Sequence, residues 1–396
     1  MSVSIVLSST ICNNTCMKIR SFWRDKIEQA WRRKSVVWLS GVRRVGKTTL
    51  CQSLDDIEYF DCELPRIRRL MEEPEAFLDS LHDTRVVLDE IHRLDNPSQL
   101  LKIAADHYRD VRILATGSST LGASAKFRDT LAGRKTELWL TPMITADLDD
   151  FGRTDLPFRF LRGGLPPFFL AGELPERNFQ EWMDAYWAKD IQELFRLERR
   201  HSFQKFVELI MAGSGGIFEA TRFARPCEIS RTTISNYLAV IEATFVAHVI
   251  RPFSTHRPTE IISAPRVYGF DTGFVCYYRG WHDLRREDLG VLWEHFVLNE
   301  LHANLQSRSI NYWRDKRGHE VDFVFPQRGK PPTAIECKWS MAEFSPSGMK
   351  SFRRAYPGGR NFVVANDVVR SITRKYDGIA VRFVSLPKLI RAVASA

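Results

Sequence analysis

The sequence has no run of about 18 consecutive apolar residues, the length a helix needs to cross a bilayer, so a spanning helix is excluded and no membrane partner is expected. The short apolar stretch Val3–Leu7 is not preceded by basic residues, as a secretory signal would require. Residues 1–20 are therefore expected to form a loose terminal arm on a cytoplasmic protein. The seven cysteines are scattered, and Cys12 and Cys16 have no second Cys or His pair at zinc-finger spacing. That argues against a disulfide framework or a structural zinc and leaves reduced thiols as the expectation. Internal repeats and low-complexity tracts are also missing.

What remains is the composition of ordinary globular domains, 44% hydrophobic and 27% charged. The formal net charge of +9 favours a polyanionic partner, nucleic acid first. Along the chain the pattern changes character. From about 22 to 150, apolar β-branched runs alternate with helical spacing, as in a parallel α/β sheet. The expected strands are Ser35–Ser40, Ile57–Phe60, Arg85–Leu88, Arg112–Thr116 and Glu137–Leu140. A turn-rich break through Arg162–Pro167 leads into helices from about 178 to 250, with Trp182, Tyr186, Ile191 and Leu194 at helical spacing. Phe203, Phe206, Val207, Ile210 and Met211 form a second such stripe. Strands and helices alternate again from about Leu289. The expected domains are 21–150, 151–256 and 257–396.

The most specific motif is GVRRVGKTT, Gly41 to Thr49, which fits G-x-x-x-x-G-K-[ST] between an apolar strand and a helix. In such a loop Gly41 and Gly46 let the backbone of Arg43, Arg44 and Val45 wrap phosphates. Lys47 should reach the β- and γ-phosphates, Thr48 should give its hydroxyl to Mg²⁺, and Thr49 follows in the binding helix. The second half of the site is RVVLDE, about 40 residues on. Asp89 would hold the hydrated Mg²⁺ and Glu90 would orient the attacking water. ATP and Mg²⁺ are thus the expected cofactors.

A third strand, RILATGSS, ends in hydroxyls beside that site, and Thr116 and Ser118 are both candidate γ-phosphate sensors. Arg134, in LAGRKTELWL, lies at a helix end just before a strand. It suits an arginine finger reaching a neighbouring subunit's γ-phosphate, or a plain helix C-terminal cap.

With these residues in place, the chain resembles a family of bacterial and archaeal AAA+ ATPases that carry a C-terminal domain of unknown function with a nuclease-like fold. The matching stretches are GVRRVGKTTL, VVLDEIHRL, ILATGSS, LAGR, LTPM, GGLP, YWAKDI, ISNYLAVIEATFV, LWEHFVLNEL, HEVDFVF and IECKWS, in the family's order from about 20 to 340. Val42, His92 and Pro167 stand where the family usually has proline, glutamine and glutamate. The middle stretch ARPCEISRTTISNYLAVIEATFVAHVIRPF reads as helix, turn, helix, strand, a winged-helix-like order. Ser230 can cap the second helix, with Arg231, Thr232, Ser235 and Asn236 facing outward, either toward DNA or merely toward solvent.

Glu294, Asp322, Glu336 and Lys338 follow the order of PD-(D/E)xK nucleases, which the C-terminal region resembles. The resemblance implies that Glu294, Asp322 and Glu336 bind a second Mg²⁺ and that Lys338 acts on the phosphate. The expected fold is therefore α/β: a P-loop AAA+ parallel-sheet domain, a helical, winged-helix-like middle domain and a nuclease-like C-terminal domain. The expected function is an ATP-hydrolysing ring, a homo-oligomer of hexamer type, acting on duplex or branched DNA such as a Holliday junction. Two alternatives stand beside it, an ATP-dependent signalling switch or scaffold with an inert nuclease-like domain and an ATP-gated nuclease.

Overall fold

Apolar runs flanked by polar turns fold as parallel strands when both faces of the sheet are covered, and the first part of this chain does so. The computed structural model describes residues 18–117, 125–173, 176–192, 195, 197, 199–255 and 264–394. Strands β1 (Val36–Ser40), β2 (Glu58–Asp61), β3 (Arg85–Asp89), β4 (Arg112–Thr116) and β5 (Lys135–Trp139) form one sheet in the order β2-β3-β4-β1-β5. Every pairing in it is parallel. The expected strands agree to within a residue or two at their ends. All carboxyl ends lie on one edge, so the loops after β1, β3 and β4 converge there.

The helix Ser21–Trp31 covers the sheet with Trp23, Ile27, Ala30 and Trp31, buried at helical spacing. Arg20, which the sequence assigns to the loose arm, is instead buried. It grips Asp147 through two hydrogen bonds of 2.9 and 2.6 Å and donates to the carbonyls of Val45 and Thr141. Residues 1–17, with Cys12 and Cys16, lie outside the described residues.

The middle region packs against this domain through aromatic residues. The helix Glu176–Ala185 runs into a π-helical stretch, Tyr186–Gln192. Trp182 stacks between Tyr186 and Phe270, with ring centres 5.2 Å away on each side. Leu194, expected in the same stripe, lies outside the described residues. The helix Arg200–Ala212 buries Phe203, Phe206, Val207, Ile210 and Met211, the stripe its spacing implies. There follow β6 (Gly216–Ile217), helices Ala220–Ala224 and Arg231–Ala243, β7 (Ala247–Pro252) and β8 (Arg266–Gly269). Strand β8 lies between β6 and β7, antiparallel to both.

The remaining strands are β9 (Asn311–Arg314), β10 (Glu320–Gln327), β11 (Lys330–Lys338), β12 (Asn361–Ala365), β13 (Ile372–Tyr376) and β14 (Ile379–Val384). An unpaired strand edge is avoided where a partner is at hand, and β7 pairs in parallel with β9 through Arg251–Asn311 and Pro252–Tyr312. Among the described residues this gives one nine-stranded sheet, ordered β13-β14-β12-β11-β10-β9-β7-β8-β6. The expected boundary at 256/257 thus falls between strands that share a sheet.

The helix Arg286–Leu305 is buried on most faces between two layers, with His295, Asn299, Glu300 and His302 among its buried residues. One side meets the C-terminal sheet, where Trp293 Nε1 donates to the Val364 carbonyl at 3.2 Å. The other meets the first domain, where Asn299 donates to the Pro142 carbonyl and Gln306 bonds to the backbone of Trp139.

Candidate functional site

The glycine-rich loop leaves β1 with a backbone that only glycine tolerates. Gly41 has φ +148°, and a Cβ there would lie 2.5 Å from the Leu140 carbonyl oxygen. The chain then wraps back to the helix Lys47–Gln52. Lys47 Nζ donates to the carbonyls of Gly41 and Val42, at 3.0 and 3.3 Å, which holds the ammonium over the loop. Burial lowers its pKa, against the opposing pull of Glu90, Asp190 and Asp89.

Strand β3 delivers Asp89 to the same place. The Thr48 hydroxyl donates to Asp89 Oδ2 at 2.9 Å, bringing together the two groups expected on Mg²⁺. Thr116, at the end of β4, donates its hydroxyl to the other oxygen of Asp89 and accepts the Glu90 N–H at 3.2 Å. Of the two expected sensors, Thr116 is therefore in the site, whereas Ser118 lies outside the described residues. Tyr59, on β2, also donates to Asp89. No motif marks that tyrosine; only the pairing of β2 with β3 brings it there.

Glu90 sits at φ +55°, turned from the strand toward the cavity. Burial would raise its pKa, but the hydrogen bond from His92, whose Nδ1 is 3.1 Å from Glu90 Oε2, and the Lys47 charge bring it below its ordinary value. The carboxylate is thus kept ionised and fixed in direction.

The cavity over these residues measures about 1000 Å³ and is lined by both the first domain and the middle region. Lys47, Thr48, Asp89 and Glu90 line it from the first domain, and Pro166, Leu170, Lys189 and Asp190 from the middle region. Arg43 crosses between them, its Nε 3.0 Å from Asp190 Oδ2. Its carbonyl accepts the Trp182 indole N–H at 3.0 Å. Arg44 and Thr49 are exposed at the rim. A loop of phosphate-facing backbone, an ammonium, and a hydroxyl–carboxylate pair fit a nucleoside triphosphate with its Mg²⁺.

Arg134 is not brought to this cavity. It precedes β5, at the opposite end of the sheet, and its Nε is 2.7 Å from Asp106 Oδ1 of its own chain.

The GGLP turn holds the two regions together. The Gly164 N–H donates to Asp271 Oδ2 at 2.6 Å, and the Gly164 carbonyl accepts from Met143 N at 2.7 Å. Buried Arg159 lies against the same turn, donating to the Met143 carbonyl and, at 2.9 Å, to Thr272 Oγ1.

The C-terminal constellation is brought together as expected, with one addition. Lys338 Nζ is 3.0 Å from Glu336 Oε2 and 3.6 Å from Asp322 Oδ2. Arg266, from β8, places Nη1 3.1 Å from Glu294 Oε1 and 3.7 Å from Asp322 Oδ1. The three carboxylates expected as a metal-ligand set, Glu294, Asp322 and Glu336, thus lie among two cationic side chains. A guanidinium separates two of them, and among the described residues no group of three or more His, Cys, Asp or Glu is arranged to hold a metal ion.

Residues 33–148 match the family model described as AAA domain. Residues 153–285 and 289–388 match two families described as domains of unknown function, DUF8612 and DUF4143. Two uncharacterised mycobacterial proteins, from Mycobacterium bovis and Mycobacterium tuberculosis, are each 26% identical over 390 residues, covering 92% of this chain and 86% of their own. Among solved structures, a Walker-type ATPase of Pyrococcus abyssi is 16% identical, with TM-score 0.41, over 66% of this chain and 95% of that one. A signal-transduction ATPase with numerous domains from Pyrococcus horikoshii is 11% identical, with TM-score 0.26, over 71% of this chain and 46% of its own. Likenesses at those scores carry no functional argument. The family match and the parallel sheet carry the conclusion that the chain contains an AAA-like, ATP-binding P-loop ATPase domain.

Proposed function

We propose that this chain, built on an AAA-like ATPase domain, is an ATP-hydrolysing switch whose nucleotide state is read by its middle region. The observation that carries the reading is the shared lining of the cavity, with Lys47 and Glu90 from the first domain and Lys189 and Asp190 from the middle region. Lys47 would meet the β- and γ-phosphates and Thr48 and Asp89 would hold Mg²⁺, with Thr116 fixing the Asp89 carboxylate. Bound Mg²⁺ would supply charge neutralisation of the transferring phosphoryl group. Glu90, ionised and held by His92, orients and polarises the attacking water. Phosphates entering the loop compete with Asp190 for Arg43, so the contact between the loop and the π-helical stretch depends on the nucleotide.

A second reading, the DNA-directed ATPase, is favoured by one further observation. In the helix Arg231–Ala243 the residues Arg231, Thr232, Ser235 and Asn236 are exposed, while Ile234, Tyr237, Leu238 and Ile241 are buried. Ser230 caps the helix by accepting the Thr233 N–H at 3.1 Å. The strand order β7-β8-β6 behind it supports a winged-helix-like middle region whose helix N-terminus can meet a phosphate backbone. A ring assembly belongs to this reading and would require Arg134 to leave Asp106 for a neighbour's nucleotide.

ATP turnover measured without DNA, with duplex and with a four-way junction tests both readings, with Lys47→Ala as background. A rate indifferent to DNA supports the switch. Stimulation by DNA, with a log–log salt slope, would replace it with the DNA-directed ATPase.

A further inference from the structure

Glu294, on the helix Arg286–Leu305, Asp322, on β10, and Glu336, on β11, have side chains only 17%, 10% and 8% exposed. Carboxylates buried this close together need positive charge among them, because otherwise desolvation and mutual repulsion oppose their ionisation. A divalent cation is one source of that charge, and it requires oxygens converging at about 2.0–2.6 Å on a common point.

This chain supplies such charge from a side chain of its own. Arg266 is 12% exposed and reaches into the centre from β8. Nη1 faces Glu294 and Asp322, and Nη2 donates to Glu320 Oε2 at 2.5 Å. The guanidinium also lies 5.5 Å from the centre of the Tyr312 ring. Tyr268, two residues along the same strand, donates its hydroxyl to Glu294 Oε1, so β8 engages this glutamate twice. On the far side, Asp322 Oδ2 accepts the Cys337 N–H at 2.8 Å and lies near Lys338. Both Asp322 oxygens thus face positive charge or a donor. The Arg266 Nε is buried with no hydrogen-bond partner, so the side chain is positioned by its two terminal nitrogens. A guanidinium stays charged at any physiological pH and does not vacate such a place by losing a proton.

We propose that Arg266 is the built-in counter-ion of this acidic centre, standing where a divalent cation would otherwise be held. The C-terminal domain then takes up no Mg²⁺ at Glu294, Asp322 and Glu336 and hydrolyses no phosphodiester there. The cluster acts instead as a clamp that fastens β8 to β10 of the same sheet and to the helix Arg286–Leu305.

The test counts bound Mn²⁺ by electron paramagnetic resonance on the full chain without nucleotide. The proteins are wild type, Asp322→Asn, Arg266→Gln and the double variant. Wild type and Asp322→Asn should bind the same number of ions, because a Thr48–Asp89 site is common to both. Arg266→Gln should gain one Mn²⁺ per chain, and the double variant should lose it again. One more ion on wild type than on Asp322→Asn would overturn the proposal, as would a folded Arg266→Gln that gains none. Should Arg266→Gln fail to fold by circular dichroism, the wild-type and Asp322→Asn pair still decides. Equal binding there supports the built-in counter-ion, and unequal binding refutes it.

Discussion

Arg43 of the phosphate-binding loop donates from Nε to Asp190 of the middle region at 3.0 Å, across 147 residues of sequence. Asp190 is 11% exposed, and its charge also acts on the Lys47 ammonium. One carboxylate of the middle region therefore attracts two cations that we propose serve phosphate. Replacing it by the neutral isostere, Asp190→Asn, should free both and tighten ATP binding by roughly tenfold, about 1.4 kcal/mol. The same change should abolish any ATP-dependent difference in amide exchange over 176–192. Calorimetric titration and hydrogen exchange measure the two effects. An unchanged affinity with intact ATP-dependent protection would sever the proposed link between loop and middle region.

Glu90 and Lys47 separate binding from chemistry. Lys47→Ala removes the ammonium that we propose meets the β- and γ-phosphates, so ATP binding and turnover should both be lost. Glu90→Gln keeps the shape but not the charge, and turnover should fall about 10²–10⁴-fold with binding retained. His92 gives a finer probe. Its hydrogen bond helps to hold the Glu90 pKa below the ordinary carboxylate value. Removing it with His92→Ala should raise that pKa and move the acid limb of the turnover profile to higher pH. An acid limb at the same pH in both proteins would show that Glu90 does not act as the base.

The parts of this site that could be read from sequence are those built from local pattern. A glycine-rich loop after an apolar strand and an acidic pair after another need only their neighbours to be recognised. The helix stripes of Trp182, Tyr186, Phe203 and Phe206 are legible for the same reason. Tyr59 was not, because nothing near it in sequence marks a hydroxyl destined for Asp89; the register of β2 against β3 decides it. Asp190 and Arg20 act across more than 100 residues, through contacts that composition does not reveal. Arg266 is the sharpest case. The residue order of Glu294, Asp322, Glu336 and Lys338 suggested a metal centre, but the guanidinium that lies between Glu294 and Asp322 comes from a strand outside the pattern.

Gly164 should be among the least replaceable residues of the junction between the regions. A Cβ at this position would lie 2.0 Å from Arg159 Nη2 and 2.7 Å from Met143 N. Arg159 is buried and has Asp271 3.6 Å away, so it can move only by losing that pairing. Gly164→Ala should therefore destabilise the chain by about 3–5 kcal/mol, the cost of disrupting a buried ion pair. Gly172, where a Cβ meets nothing within 4 Å, is the control, and Gly172→Ala should change stability by less than about 0.5 kcal/mol. Urea unfolding midpoints of the two variants make the comparison, and similar midpoints would mean that the turn relaxes around the added methyl group.

Glu300 ties stability to pH at the contact between the long C-terminal helix and the first domain. It is buried and accepts the Thr145 N–H at 2.6 Å and the Thr145 hydroxyl, and burial above all pushes its pKa up to about 7 from an ordinary 4.5. Between about pH 4.5 and 7 the folded state keeps a proton that the unfolded chain has released, so this group's contribution to stability falls as pH rises through that window. His302, held neutral with a pKa of about 3, works in the opposite sense, adding stability as pH rises from about 3 to 6.5. The two are separated by comparing wild type with Glu300→Gln, which keeps an acceptor for Thr145 and removes only the carboxyl titration. The histidine contribution is common to both proteins and cancels. The stability of Glu300→Gln relative to wild type should therefore rise between pH 5 and pH 8, by up to about 3 kcal/mol in urea unfolding. A difference that stays flat over that range would show that the Glu300 carboxylate ionises in place, and that this helix contact admits water.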